Sequence, residues 1–376
     1  MISFENDYSE GACTEILKAL VKENFSQNTG YCLDKHCLNA EKLIKNRINR
    51  QDVDVHFITG GTPCNVLAME LLKPYEAIIC VESGHINVHE TGAIEHRGHK
   101  ILTSKGHEGK LLPLEIEQIV LKHTDEHMVK PKLVFISQPT ELGTVYSEDE
   151  LIQIKDTCTK YGLYLYIDGA RLGSGLASID MDIKEIPDYA DMFYIGGTKN
   201  GCLLGEAFVI VNEKLKKDFR FAIKQNSSLL AKGFVVGIEF ETLFTNDLYF
   251  ELAKHANEMA NKLRNIFELY GIGEYVKSKT NQVFVVLDDY LLEKIQKEFV
   301  VSPWGKYSQN QTIVRFVTSW NTSMEQINEF KKYLDTVIAW LIRLYFLFVI
   351  SAPYWNTIPN SININPKNNE LPLLNS

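Results

Sequence analysis

Four short segments carry side chains suited to chemistry. Lys199 stands in Gly196-Gly197-Thr198-Lys199-Asn200-Gly201, bracketed by glycines just past the apolar run Met192 to Ile195. An amine in such a place can act as a nucleophile towards a carbonyl. Thirty-one residues earlier, Asp168 opens Asp168-Gly169-Ala170-Arg171 after the apolar run Leu163 to Ile167. An acid at the end of a buried strand is costly unless it meets a cation or hydrogen-bond donors. Gly60-Gly61-Thr62-Pro63 follows Val53 to Thr59. Two glycines let the backbone approach a ligand, Thr62 reads as a helix N-cap and Pro63 as the first helical residue. Free N–H groups there attract an anion, typically a phosphate. His85 follows the run Ala77 to Val81, with His89 and Glu90 just beyond. A loop histidine at a sheet edge can stack on a flat ring or transfer protons.

Each segment alone has an ordinary explanation: a turn with a good cap, a surface histidine, an aspartate capping the next turn, a solvated loop lysine. Together, a phosphate cradle, a ring-stacking histidine, an acid and a glycine-bracketed lysine suit pyridoxal phosphate. In that reading Lys199 joins the cofactor aldehyde and Asp168 keeps the pyridine nitrogen protonated. The Walker pattern and GxGxxG are both absent, so nucleotide binding is not supported. His85, His89, His96 and His99 look like a metal cluster, but the carboxylate-and-cysteine pattern of a metal site is missing, and no metal is expected.

The elements that must position these residues alternate along most of the 376-residue chain. Strands are expected at Val53 to Thr59, Ala77 to Val81, Leu133 to Ser137, Leu163 to Ile167, Met192 to Ile195 and Ala207 to Val211. Helices are expected at Pro63 to Lys73 and from the capping box Ser147-Glu148-Asp149-Glu150 to Tyr161. Short apolar strands separated by helices predict an α/β fold, a mostly parallel sheet sandwiched by helices. In such sheets ligands bind outside the carboxyl ends of the strands, where all four segments fall. After about residue 245 the pattern changes to a smaller α+β unit, with a long helix capped by Asn246, strands at Gln282 to Leu287 and Thr312 to Thr318, and helices at Tyr290 to Phe299 and from Ser323 to about Trp340. The expected organisation is an N-terminal arm (1–25), a large cofactor-binding domain (26–245), a small C-terminal domain (246–340) and an extension (341–376).

Forty-five per cent hydrophobic and 23% charged residues are ordinary for a folded chain, and a net charge of −9 argues against a nucleic-acid partner. Seven scattered cysteines without a CxxC point to a reducing, cytoplasmic setting. The N-terminus does not read as a secretory signal. Val337 to Ile350 is apolar except for Arg343, which is too short and too charged for a comfortable span. It reads as the end of a packed helix, followed by an Asn- and Pro-rich tail expected to be disordered, and membrane association is not expected.

The ordered set of motifs resembles the threonine aldolase / β-eliminating lyase family of pyridoxal-phosphate enzymes, with the aspartate-aminotransferase-type fold (fold type I). The resemblance runs from about residue 3 to 340. It rests on Asn6-Asp7-Tyr8-Ser9, Gly60-Gly61-Thr62, His85 with Glu90, Asp168-Gly169-Ala170-Arg171, Gly197-Thr198-Lys199 and Val314-Arg315-Phe316-Val317-Thr318. It implies Lys199 as the cofactor lysine, Asp168 as partner of the pyridine nitrogen, Gly60, Gly61 and Thr62 at the phosphate and His85 over the ring. Arg171 and Arg315, helped by Ser9, would clamp the substrate carboxylate. Arg315 has separate support, since an arginine interrupting the apolar run Ile313 to Val317 calls for an anion.

The resemblance also implies cleavage of a β-hydroxy amino acid, L-threonine or L-allo-threonine, to glycine and an aldehyde. The alternatives are another β-eliminating lyase or an aminotransferase, or else a non-catalytic scaffold. Where many members carry Asn-Thr-His, this chain has Gln138-Pro139-Thr140-Glu141. The base for the β-hydroxyl is therefore left open among His85, Glu90, Glu141 and a water. Family members place each site at a dimer interface, which implies a homo-oligomer, a dimer of dimers, with Lys224 and Lys232 placed to reach a neighbour's phosphate.

Overall fold

The computed structural model describes residues 1–179 and 181–351. The first strand, β1 (Ile2–Ser3), belongs to the small domain. The large domain is built on seven strands: β2 (Asp54–Ile58), β3 (Glu76–Val81), β4 (Ile101–Ser104), β5 (Lys130–Ser137), β6 (Tyr164–Asp168), β7 (Met192–Gly196) and β8 (Glu206–Ile210). Their order is β2-β8-β7-β6-β5-β3-β4. Pairing from β7 through β4 is parallel, and β8 runs antiparallel to both β2 and β7. The mostly parallel sheet expected from the sequence is therefore present.

Strand periodicity divides the sheet's side chains between two cores. Ile167, Phe193, Ile195, Ala207 and Val209 face one helical layer. Tyr166, Tyr194, Phe208 and Ile210 face the other, packed against Cys64, Leu67 and Ala68 of the helix Gly61–Met69. The same alternation sends Asp168, two residues beyond Tyr166, to that second face. Strands β3, β7 and β8, β5 from Leu133 and β6 from Leu165 are buried on both faces, which is why they read as nearly continuous apolar runs, whereas β2 and β4 are partly exposed.

The helix Gly61–Met69 differs from its expected bounds. Gly60, not Thr62, is the N-cap, and Pro63 occupies the third helical position. The Cys64 N–H closes the first turn onto the Gly60 carbonyl. Pro63 is tolerated because the first N–H groups of a helix have no internal acceptor. The helix also stops at Met69, before Pro74. The long helix expected from Asn246 runs over Leu248–Leu269 and is entered through Asn246 and Asp247, both at positive φ.

The small domain has a four-stranded antiparallel sheet of β9 (Glu274–Val276), β10 (Gln282–Asp288), β12 (Ser302–Ser308) and β13 (Gln311–Val317), ordered β12-β13-β10-β9. Strand β11 (Phe299–Val300) pairs with β1 in parallel, and Phe4 is fully buried among Phe299, Phe316 and Phe330. The first residues are thus tied into the small domain. The Ser323 side chain accepts from the Gln326 N–H and opens the helix Met324–Ser351. Among the described residues no helix is long and apolar enough to cross a membrane. The expectation of a disordered tail after residue 351 lies outside the described residues.

Candidate active site

The carboxyl ends of β5, β6 and β7, the loop after β2 and the start of β8 surround one cavity of about 350 Å³. Gly60, Gly61, Thr62, His85, Asp168, Arg171 and Lys199 all line it, joined by Tyr8, Asn65, Glu141, Tyr194, Thr198 and Glu206. Residues up to 198 positions apart in sequence, Tyr8 and Glu206, therefore meet at one edge of the sheet.

Asp168 is 4% exposed. Its Oδ1 accepts from the Tyr194 hydroxyl at 2.6 Å and from the Ala170 N–H at 3.0 Å, and its Oδ2 accepts from Asn65 Nδ2 at 3.2 Å. The aspartate therefore caps the turn after β6 and also presents a fixed carboxylate at the cavity. Asn65 is itself oriented by the Tyr166 hydroxyl, at 2.9 Å from its Oδ1. The turn packs tightly: a Cβ on Gly169 would lie 1.9 Å from the Tyr194 carbonyl oxygen, so only glycine fits.

Lys199 is half-buried, and its Nζ lies 5.8 Å from the Tyr8 ring centroid. Burial and the nearby Arg171 guanidinium push its ammonium below the ordinary lysine value, against the pull of Asp7, Asp168 and Glu206. A more readily deprotonated amine is a better nucleophile at neutral pH.

His85 turns its Nδ1 onto Glu90 Oε1 at 2.7 Å, and its backbone N–H donates to Glu141 Oε1 at 2.9 Å. Burial alone would lower the imidazole's pKa, but the Glu90 hydrogen bond and the field of Asp168 raise it above the ordinary histidine value. The Glu90 side chain is fully enclosed behind His85 and also accepts from Asn65 Nδ2 at 2.6 Å. Glu141 is buried at the cavity wall, where Ser137 donates to it at 2.7 Å and burial raises its pKa.

Arg171 commits Nε and Nη2 to Asp7, at 2.6 and 2.9 Å, and Asn281 Nδ2 donates to the same carboxylate at 2.8 Å. Burial opposes ionisation of Asp7, but Arg171, Lys199 and Asn281 hold its carboxyl below the ordinary range. The stability this pair contributes is present above the ordinary aspartate pKa. It is lost as pH falls through the lowered value. Asp7→Ala would leave the buried guanidinium unpaired and should cost about 3–5 kcal/mol, read from the denaturant midpoint at pH 7. A change within ordinary surface scatter would contradict the pairing.

Arg315 lies on β13, an interior strand between β12 and β10, not at a solvated sheet edge. Its guanidinium covers the Trp304 ring at 4.9 Å and makes only long contacts, 3.4 Å each, to Gln282 Oε1 and the Glu5 carbonyl. Its Nε is buried without an acceptor, and burial with the Arg171 charge pulls its pKa down to about 10. Among the described residues this cation forms no ion pair. Ser9 is exposed, with its hydroxyl on Asn6 Oδ1 at 2.9 Å, and neither Ser9, Glu90 nor Arg315 lines the cavity itself. Lys224 sits over the Tyr31 ring at 4.7 Å, away from this chain's own cavity. Among the described residues no group of three or more His, Cys, Asp or Glu side chains is placed to hold a metal ion.

Sequence reasoning did not single out Asn65, Tyr194 or Glu206. Asn65 lies inside a helix and Tyr194 inside an apolar strand, where their signal is that of core packing, and Glu206 stands between Gly205 and the apolar run of β8.

The profile of the β-eliminating lyase family matches residues 9–290. The chain belongs to that family. The low specificity L-threonine aldolase of Pseudomonas aeruginosa is 32% identical over 342 residues, covering 89% of this chain and 97% of its own. The solved structure of a Leishmania major threonine aldolase is 42% identical, has a TM-score of 0.89, and covers 90% of this chain and all of its own. The aspartate aminotransferase of Thermotoga maritima, at 15% identity and a TM-score of 0.66, covers 90% of this chain and 92% of its own and shares the fold alone. The family and the fold expected from the motifs both stand.

Proposed function

We propose that this chain is a pyridoxal-phosphate-dependent aldolase that cleaves a β-hydroxy amino acid, L-threonine or L-allo-threonine, into glycine and an aldehyde. The observation that carries the reading is the convergence of Gly60–Thr62, His85, Asp168 and Lys199 on one cavity. The names of the relatives from Pseudomonas aeruginosa and Leishmania major support the substrate class.

The residues present fit the cofactor. Gly60 adds no side chain to the cradle, and a Cβ on Gly61 would crowd the Tyr194 hydroxyl at 3.0 Å. The free N–H groups at the start of the helix Gly61–Met69 suit the phosphate, helped by the Thr62 hydroxyl. When bound, the cofactor supplies an electron sink for the pair released as the substrate's Cα–Cβ bond breaks. Asp168, fixed by Tyr194, Ala170 and Asn65, holds a proton on the ring nitrogen. Lys199, whose amine burial and Arg171 press towards the neutral form, would hold the cofactor. Arg315 and the unpaired part of Arg171, with Ser9, receive the substrate carboxylate.

Of the residues considered for the β-hydroxyl proton, His85 and Glu141 line the cavity, whereas Glu90 stands behind His85. We assign proton removal to His85 Nε2. Glu90 fixes the opposite nitrogen and makes the imidazole a stronger base. Glu90 is thus a positioning residue.

Addition of pyridoxal phosphate to the purified chain should produce a near-visible absorption band. Borohydride should abolish the band and fix the cofactor to the peptide containing Lys199. Label on another lysine would overturn the assignment. Arg315→Leu should weaken amino acid binding about tenfold to a hundredfold, matching the roughly 1.5–3 kcal/mol of a charge-assisted hydrogen bond, while cofactor affinity holds. An unchanged apparent affinity for the amino acid would remove Arg315 from the site.

The proposed setting is the cytoplasm, in keeping with seven free cysteines. The proposed assembly is a homotetramer. It is supported by the exposed Leu17, Val21 and Phe25, which recur at helical spacing on and just beyond the helix Thr14–Glu23.

A further inference from the structure

Glu206 is a buried carboxyl at the cavity wall that the proposed chemistry does not use. It opens β8, with Ile58 of β2 opposite it on one side and Gly196 of β7 on the other. The segment Thr59 to Thr62 continues directly from Ile58, and Gly197 to Lys199 directly from Gly196. Glu206 shares a sheet face with Phe208 and Ile210, the face that also carries Tyr194 and Asp168. Its carboxyl therefore lies between the anion cradle and the amine. It is 4% exposed, and its Oε2 accepts the Gly197 N–H at 2.7 Å.

Burial pushes this carboxyl up to about 7, against hydrogen bonds from Thr198 and Gly197 and the charge of Lys199. Cys64, Tyr166, Tyr194, Cys202 and Tyr249 around it are each pushed up by burial and neutral near pH 7, and the charged or titratable groups sharing its cavity are Asp168, His85, Glu141, Arg171 and Lys199. Lys199 is the cation that favours its ionised form. Loading the cofactor brings phosphate charge to Gly60–Thr62 and engages the Lys199 amine. Both changes disfavour a second negative charge at Glu206.

We propose that Glu206 takes up one proton from solvent when pyridoxal phosphate enters, so that loading of the cofactor is proton-coupled; this rests on the cofactor reading above. Well below the carboxyl's raised value, near 7, it is already protonated and little changes on binding, whereas well above it each binding event requires about one proton.

The test is titration calorimetry of the full-length chain, stripped of cofactor, with pyridoxal phosphate at pH 8 in buffers of different ionisation enthalpy. Wild type is compared with Glu206→Gln. The ionisations of the cofactor itself are common to both proteins. Wild type should take up about one proton more per cofactor than the variant, and its Kd should rise about tenfold per pH unit above 7 relative to the variant. Equal proton counts and parallel Kd profiles, with both proteins binding, would overturn the inference. Should Glu206→Gln fail to fold, the infrared difference spectrum of wild type at pH 8, loaded minus stripped, decides. A gained protonated-carboxyl stretch supports the uptake, and its absence overturns it. A wild type that binds no pyridoxal phosphate would fail the cofactor reading itself and take this inference with it.

Discussion

Lys199→Ala is expected to lower turnover by on the order of 10³–10⁴ or more, since it removes the amine that secures the cofactor at the reacting centre. The fold should survive. Lys199 lies in the turn Gly197–Gly201, and among the described residues its ammonium makes no ion pair or side-chain hydrogen bond, only a 5.8 Å approach to the Tyr8 ring. Removing a half-buried amine that burial and Arg171 already press towards neutrality should cost little stability. Kinetics with threonine, paired with a thermal melt, read both effects. Activity near wild type in a folded variant would mean that the glycine-bracketed lysine is a loop residue after all.

Asp168→Asn should still bind cofactor yet lose about 10²–10³ in turnover, the scale seen when one preorganised electrostatic partner is removed. Three donors converge on the carboxylate, from Tyr194, Ala170 and Asn65. An amide keeps one acceptor oxygen for Tyr194 and Ala170, but it opposes Asn65 Nδ2 with a donor and carries no charge to hold a proton on a ring nitrogen. Cofactor affinity from absorbance and kcat from steady-state kinetics separate the two roles. A near-normal rate would leave Asp168 as a cap for the turn after β6 and nothing more.

Much of the cavity was legible because strand ends in a doubly covered sheet leave sharp marks. Apolar runs broken by Gly-Gly-Thr, Asp-Gly-Ala-Arg and Gly-Gly-Thr-Lys locate β2, β6 and β7 and the groups beyond them. The residues that fix those groups were not legible. Tyr166 and Tyr194 look like core aromatics, and their hydroxyls reach Asn65 and Asp168 only because alternate strand residues share a face. Asn65 looks like a polar residue on a short helix until that helix is laid across the sheet. Asp7 and Arg171 are 164 residues apart, and no local pattern couples them. The misplaced helix start at Thr62 has a similar origin. Thr-Pro is a good local start signal, but tertiary packing of Gly61 against Tyr194 begins the helix earlier. Strand β12 was missed because it is a mostly exposed partner of β13 without apolar alternation, and β4 because it is a four-residue edge.

The departure at Gln138 to Glu141 also acquires a physical content. Where a histidine was absent from the sequence, the structure places Glu141 at the cavity wall, with its carboxylate held by Ser137 and by the backbone of His85. Glu141 thus braces the start of the segment that carries His85, and the imidazole is the group left facing the cavity.

Product analysis with L-threonine and pyridoxal phosphate is the most direct test of the proposed reaction. Equal amounts of glycine and acetaldehyde, appearing as threonine disappears, are the expected result. 2-Oxobutyrate and ammonia in their place would make the chain a β-eliminating enzyme and contradict the aldolase reading.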